Sequence, residues 1–180
     1  EGSSGGDIEL IDVAAASYDL HVEGLDASGT AIYEVVDDLR VTVPSADVFE
    51  TEEYALEVKR AYLVVDWLFT DNQKCNTAGV QDVTVTLFEA DGTELDADNA
   101  APQTVPCTNE FEDEVPNLQG YPAGVAFLKL KPRDEGDGIT VLVEGIDEAG
   151  EVILDGTLAD VTMAPGETKE IAVELTAPGS

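Results

Sequence analysis

Val143-Glu-Gly-Ile-Asp-Glu-Ala-Gly150 is the stretch that decides the fold, because the chain contains a near copy of it, Val22-Glu-Gly-Leu-Asp-Ala-Ser-Gly29. Each copy follows one alternating apolar run and precedes another. An Asp-x-x-Gly element between two such runs indicates a β-hairpin, since glycine accepts the positive φ that a tight turn requires. Two copies of one supersecondary unit favour an architecture of repeated β-sandwich units.

Both copies continue in the same way, into a Val-Thr-apolar strand that ends before a proline: Val41-Thr-Val-Pro44 and Val161-Thr-Met-Ala-Pro165. Roughly 80 residues of the second unit precede its hairpin, whereas fewer than twenty precede the first. We therefore predict an all-β chain of two β-sandwich units, the N-terminal one incomplete. The predicted organisation is a flexible tether at 1–7, an N-terminal half-sandwich at 8–58 and a C-terminal sandwich at 59–178.

The remaining strands are predicted from alternation and from β-branched residues, which pack well on a pleated surface. Residues 18–24 are predicted as one strand, and 81–89 as a half-buried strand. Ala61–Phe69 is the most apolar run of the chain. Its periodicity fits a strand or a helix, and its β-branched and aromatic residues favour a strand. A last strand is predicted at 168–176, and 91–117 is predicted to be mostly loop.

Composition limits the partners of the chain. Its 180 residues include 39 acidic and 8 basic side chains, for a formal net charge of −31. Such a surface repels nucleic-acid phosphates and anionic lipid headgroups, so neither is an expected partner. The acidic residues are interpreted as a solvated shell that keeps the protein soluble in salty or calcium-bearing water, or as groups that bind cations.

The N-terminus bears on the compartment. We find no apolar run of the roughly 20 residues that a transmembrane helix needs, and no signal peptide. The opening Glu-Gly-Ser-Ser-Gly-Gly-Asp is typical of a flexible tether. We interpret it as the start of a mature secreted protein or lipoprotein just after its processing site, with a cloning remnant as the alternative.

Cys75 and Cys107 are the two cysteines of the chain. They bracket the loop-rich region, and a long irregular stretch in a compact domain needs a staple. In an acidic all-β chain such a pair predicts one disulfide, formed in an oxidising compartment. A zinc site is not favoured, because two thiols and the distant His21 fall short of a ligand set.

The sequence carries no catalytic signature, and an enzymatic function is not expected. His21 is the only histidine, and with both cysteines paired there is no partner for a Ser-His or Cys-His couple. Calcium is the one cofactor that the acidic turns support, since this ion takes six to eight oxygen ligands, often from turns. The candidate calcium ligands crowd two turns without EF-hand spacing: Asp91, Glu94, Asp96 and Asp98 in one, Asp134 and Asp137 in the other.

The hairpin pattern Val-x-Gly-x-Asp-x-x-Gly, the Pro-Gly that follows it and the final alternating strand resemble the closing half of immunoglobulin-like or transthyretin-like β-sandwich repeats. The upstream part looks like the opening half of such a domain: a strand with Trp67, then Cys75, an alternating strand, Cys107, and Leu118 with Tyr121. The resemblance spans 61–176, and over 8–58 it covers a closing half alone. It implies a structural or adhesive role in a secreted or surface-anchored bacterial protein, often a lipoprotein, and it brings no catalytic residues.

These observations together predict an extracellular or cell-surface structural protein that assembles with copies of itself into a filament or a surface layer. The assembly strand is predicted in the alternating N-terminal segment, which a neighbouring copy would accept at an open sheet edge. Its apolar residues are Ile8, Leu10, Ile11 and Val13. Cations are the other expected partners. An adhesive module that binds a sugar or a protein is the alternative function.

Overall fold

The structure is a computed structural model that describes residues 13–35, 39–45, 55–70, 73–95, 100–107 and 124–179. The chain divides into two compact units, one through Glu57 and one from Val58 onward. We call them the first and the second unit. The described residues form twelve strands and one short helix, so the all-β prediction is confirmed.

The first unit contains short strands in two separate sheets: β1 (Ser17–Leu20), β2 (Glu23–Leu25), β3 (Ala31–Glu34), β4 (Leu39–Thr42) and, at the boundary, β5 (Glu57–Val58). β1 pairs antiparallel with β4, whereas β2, β3 and β5 form a three-stranded sheet. The prediction of a single strand at 18–24 is therefore wrong. The chain leaves one sheet at Leu20 and joins the other at Glu23, and the apolar alternation that continues through Val22 conceals this break.

The core of the first unit is small in its described part. β4 directs Leu39 and Val41 inward, and these are the only fully buried apolar side chains among the described residues of this unit. Leu25, Tyr33 and Leu56 are exposed instead. The described strands of the first unit thus remove little apolar surface from water.

The second unit is a sandwich of two sheets. Its elements are β6 (Ala61–Phe69), α1 (Cys75–Ala78), β7 (Asp82–Phe88), β8 (Gln103–Pro106), β9 (Val125–Leu130), β10 (Ile139–Ile146), β11 (Val152–Val161) and β12 (Thr168–Leu175). One sheet has the order β11-β10-β7-β8, and the other has the order β12-β6-β9. Alternate residues are fully buried between the sheets, such as Val83 and Val85 on β7 and Leu63 and Val65 on β6. Successive side chains of a strand point to opposite faces, so each sheet gives one face to this core.

β6 is the central strand of the three-stranded sheet. The apolar run at Ala61–Phe69 forms a strand, as its β-branched content predicted. It pairs antiparallel with β9 on one side and parallel with β12 on the other. The parallel register runs from Tyr62 opposite Thr168 to Phe69 opposite Leu175 without a break. The first and last strands of the sandwich thus lie side by side and point the same way.

Close contacts bridge the two sheets along both edges of the sandwich. Asp155 on β11 and Thr176, just after β12, exchange two backbone N–H···O bonds of 2.9 Å each. Gly156 permits this approach, because a Cβ at that position would collide with the carbonyl oxygen of Glu174. At the other edge, Gln103 of β8 donates from Nε2 to a carbonyl oxygen of β9 at 3.2 Å.

β8 is a short strand within 91–117, the segment predicted to be mostly loop. Gln103–Pro106 pairs antiparallel with β7, from Asp82 opposite Pro106 to Val85 opposite Gln103. Prolines stand just before and at the end of this strand, and a residue without an N–H is tolerated at a sheet edge. A four-residue edge strand of this kind has too little alternation to be recognised in the sequence.

Candidate functional site

The two sequence copies form the same hairpin turn. In the first, the N–H of Asp26 donates to the carbonyl of Thr30 at 2.8 Å, and the N–H of Gly29 donates to the carbonyl of Asp26 at 3.0 Å. The two corresponding bonds of the second copy, at Asp147 and Gly150, are both 3.0 Å long. Gly29 and Gly150 have φ values of +88° and +83°, a region that glycine adopts without strain. Both predicted hairpins are confirmed.

The aspartate side chains of these turns bind the turn itself. Oδ1 of Asp26 accepts from the N–H of Ser28 at 2.8 Å, from its hydroxyl at 2.6 Å and from the N–H of Thr30 at 2.9 Å. The Ser28 hydroxyl and these backbone donors hold the pKa of Asp26 below its usual range. Oδ1 of Asp147 accepts two backbone N–H bonds of 2.9 Å in the same way. These carboxylates therefore define the turn conformation.

A third turn, after β7, repeats the backbone pattern. The N–H of Glu89 donates to the carbonyl of Thr93 at 2.8 Å, and the N–H of Gly92 donates to the carbonyl of Glu89 at 2.9 Å. Asp91 accepts the N–H of Thr93 at 2.9 Å, and this bond lowers the pKa of Asp91. The side chain at the first position, Glu89, points elsewhere and meets Arg133. This turn therefore has the geometry of the two copies without their sequence.

Arg133 connects this third turn with the acidic turn that follows β9. Its Nη2 donates to Oε1 of Glu89 at 2.7 Å, and its Nη1 donates to Oδ2 of Asp137 at 3.3 Å. The side chain is only 11% exposed. Its backbone N–H and carbonyl also pair with Met163, at 2.8 and 3.0 Å. The guanidinium of Arg133 thus neutralises Glu89, which precedes the first predicted calcium turn, and Asp137, which belongs to the second. Sequence reasoning missed this contact because Glu89 lies 44 positions away from Arg133.

The predicted calcium ligands are only partly within the described residues. Asp91 and Glu94 lie on the third turn, Asp134 and Asp137 lie on the turn beside Arg133, and Asp96 and Asp98 fall outside the described residues. In the part of the chain that the structure describes, no three His, Cys, Asp or Glu side chains are grouped to hold a metal ion. Calcium binding stays a prediction for solution experiments.

The predicted disulfide between Cys75 and Cys107 is confirmed, with a Cα–Cα distance of 5.8 Å. Cys75 is the first residue of α1 and is buried, while Cys107 follows β8 directly. The N–H of Cys107 also donates to the carbonyl of Gln81 at 2.8 Å. The bond therefore anchors the end of the short edge strand β8 to the segment that leads into β7.

His21 and Asp66 are two titratable side chains in very different surroundings. The imidazole of His21 is 81% exposed and lies 3.5 Å from Oε1 of Glu23, as in an ordinary surface pair. Asp66 is half-buried within β6, and this burial raises its pKa, while an N–H bond of 2.8 Å from Trp67 acts in the opposite direction. The sequence signal for Asp66 is that it is the only charged residue in the apolar run Ala61–Phe69.

Most of the predicted assembly strand lies outside the residues that the structure describes. Ile8, Leu10 and Ile11 are outside the described residues, and Val13 is exposed and belongs to no strand. The edges that such a strand would join belong to the first unit, where β1, β2 and β5 each have a single described neighbour.

Comparison with protein-family models, with curated proteins and with solved structures returned no match to this chain. The likeness to immunoglobulin-like and transthyretin-like repeats therefore rests on the sequence pattern given above. Within the described residues, no helix combines the length and the apolar character required to cross a membrane.

Proposed function

We propose that this chain is a non-enzymatic structural protein of the cell surface or the extracellular space, and that it assembles with copies of itself. The observation that carries the proposal is the imbalance between the two units. The described residues of the first unit bury only Leu39 and Val41, while Leu25, Tyr33 and Leu56 are exposed. Soluble proteins rarely leave apolar faces and strand edges open, and a neighbouring copy would cover both.

The Cys75–Cys107 disulfide supports the proposed compartment. Disulfides persist in oxidising surroundings and are rare in the cytosol. The net charge of −31 favours a protein that works in a medium rich in cations, because counterions screen the repulsion between carboxylates. Cations are therefore proposed partners, whether as a diffuse atmosphere or at the acidic turns.

The proposed contact between copies is donation of a strand. The segment 8–13 alternates apolar and polar residues, with a switch of the apolar face between Leu10 and Ile11. It follows a Gly/Ser tether, so it can extend away from its own unit. Added to an open edge of the next copy, it gains backbone hydrogen bonds along its whole length. A contact between two different surfaces generates a linear filament when the rotation between copies does not close into a ring.

Deletion of residues 1–13 tests this proposal. We expect the full chain to form particles of many subunits by light scattering, and the deletion variant to be a monomer. The double substitution Leu10→Asp, Ile11→Asp should act like the deletion, whereas the control Asp7→Asn, Glu9→Gln should still assemble. If the full chain and the deletion variant are monomers of equal stability, self-assembly by strand donation is wrong, and the adhesive or ligand-binding function becomes the next one to test.

A further inference from the structure

The second unit begins and ends with a pair of parallel strands. Eight residue pairs run from Tyr62–Thr168 to Phe69–Leu175. The pairing is extended at one end by the N–H of Tyr62, which donates to the carbonyl of Glu167 at 2.8 Å. At the other end the hydroxyl of Thr70 donates to the carbonyl of Leu175 at 3.2 Å. The chain therefore enters the sandwich at one end of this pair and leaves it at the opposite end.

This arrangement determines how the unit responds to tension along the chain. A pull on both ends of the unit draws β6 and β12 past each other along their own axes. The interstrand bonds of a parallel pair are evenly spaced, so such a pull loads all of them at the same time. In an antiparallel hairpin pulled at its two open ends, by contrast, the bonds open one after another, and each carries the load alone.

The rest of the sandwich holds β12 in place against this shear. Val173 and Leu175 are buried in the core between the sheets. Beyond the strand, Thr176 exchanges two N–H···O bonds with Asp155 on β11. The second sheet thus fixes the last strand at the end where the pulling force leaves the unit.

We infer that the β6–β12 pair is a mechanical clamp, meaning a strand pair that resists tension along the chain. The second unit thereby transmits load between the partners attached to the two ends of the chain. The clamp is a property of the second unit alone. Its use by the protein rests on the proposed structural role, since a subunit of a filament or a surface layer transmits tension from its neighbours.

The disulfide limits how far the unit extends once the clamp opens. Cys75 and Cys107 lie between the two clamp strands in sequence, with a separation of 32 residues. The intact bond keeps this segment from extending. About 110 peptide units lie between Tyr62 and Leu175, and each can extend by about 3.5 Å. The unfolded second unit should therefore lengthen by about 270 Å with the disulfide intact and by about 380 Å after its reduction.

The test is single-molecule force spectroscopy on the full chain, tethered at both termini between marker domains. We expect one step of about 270 Å, which grows by about 110 Å in dithiothreitol and thereby identifies the second unit. This step should need a higher force than the step of the first unit in the same trace, because β1 and β4 share only four residue pairs. The inference is overturned if the second unit yields at the lower force, or in several small steps.

Proline substitutions test the clamp bond by bond. The N–H of Tyr62 points toward β12, and successive N–H groups of a strand point alternately to its two sides. In this register the N–H of Lys169 therefore faces β6, while that of Glu170 faces away from it. Lys169→Pro should lower the unfolding force of the second unit severalfold more than Glu170→Pro does. Lys169→Ala controls for the ion pair of Lys169 with Glu167, 3.8 Å apart, and should leave the force nearly unchanged.

Equal losses of force in Lys169→Pro and Glu170→Pro would overturn the clamp. If Lys169→Pro does not fold, its traces lack the step that lengthens on reduction, and the comparison between the two units of the unsubstituted chain decides instead. The light-scattering experiment on the N-terminal deletion measures assembly independently of force. A monomeric chain with a strong second unit would refute the proposed assembly and leave the clamp standing.

Discussion

Asp66 is a carboxylate in the middle of an apolar strand. Its neighbours along β6 on the same face include Val64, which is buried, and its cross-strand partner on β12 is Ala172. Burial disfavours the charged form, and one backbone N–H bond compensates only in part, so the pKa of Asp66 is raised. Ionised Asp66 therefore opposes folding of the second unit.

The sign of this effect gives a pH-dependent prediction. The pKa of Asp66 in the folded chain lies above the ordinary value of 3.8. At a pH between these two pKa values, folding therefore takes up a proton. The loss of stability caused by burying the carboxylate appears as pH rises through the folded pKa. Asp66→Asn, which cannot ionise, should raise the free energy of unfolding at pH 7. Below about pH 3.8, where the native carboxyl is protonated in both states, the gain should vanish. Urea unfolding of the two proteins across this pH range measures the difference.

The control for Asp66→Asn is Glu148→Gln, which removes the same charge from an exposed turn position. A reduction of general acidic repulsion would stabilise both variants to a similar extent at neutral pH. A larger gain for Asp66→Asn that depends on pH assigns the effect to burial of this one side chain. Equal gains would show that burial of Asp66 contributes nothing.

At the scale of the elements, the hairpins were the most predictable part of the chain. Their information is local: an aspartate that accepts the N–H groups of its own turn, and a glycine with positive φ three residues later. The strand at Ala61–Phe69 was predictable from residue type as well. The disulfide could be inferred because Cys75 and Cys107 are the only cysteines of an acidic, turn-rich all-β chain.

Non-local features could not be predicted in this way. The parallel pairing of β6 with β12 joins residues more than 100 positions apart, and periodicity says which face of a strand is buried but not which strand lies beside it. The contact of Arg133 with Glu89 depends on that topology. β8 is held by its pairing with β7 and by the disulfide, so its own four residues carry almost no signal.

The disulfide should be a large contribution to the stability of the second unit. It closes a loop of 32 residues, for which the chain-entropy model gives about 3–4 kcal/mol. The double variant Cys75→Ala, Cys107→Ala should lower the free energy of unfolding of this unit by about that amount and remove any response to reductant. Denaturant titrations of both proteins, with and without dithiothreitol, provide the measurement. A loss below about 1 kcal/mol would mean that residual structure already restricts this loop in the unfolded chain without the bond.

At the scale of the whole molecule, charge is the dominant feature. Eight basic side chains face 39 acidic ones, and Arg133 and Lys169 each already lie near a carboxylate. Repulsion among the remaining carboxylates opposes the compact state, and it weakens as salt shortens the distance over which charges interact. The folded chain should therefore become more stable with added non-denaturing salt, whichever cation the salt supplies.

A specific calcium site would add to this general effect, and melting temperatures can separate the two. We expect a higher melting temperature in calcium than in magnesium or chelator at matched ionic strength. A site held at about 100 times its Kd adds about 2.7 kcal/mol, which corresponds to a rise of about 10 °C in the melting temperature of the second unit, where both candidate turns lie. The variant Asp91→Asn, Asp134→Asn, with one substitution in each candidate turn, should lose most of that rise. The charge-matched control Glu148→Gln, Glu151→Gln should keep the rise in melting temperature.

Equal melting temperatures in calcium, magnesium and chelator would leave screening as the only effect of cations. The candidate calcium turns would then be solvated turns shaped by their own hydrogen bonds and by Arg133.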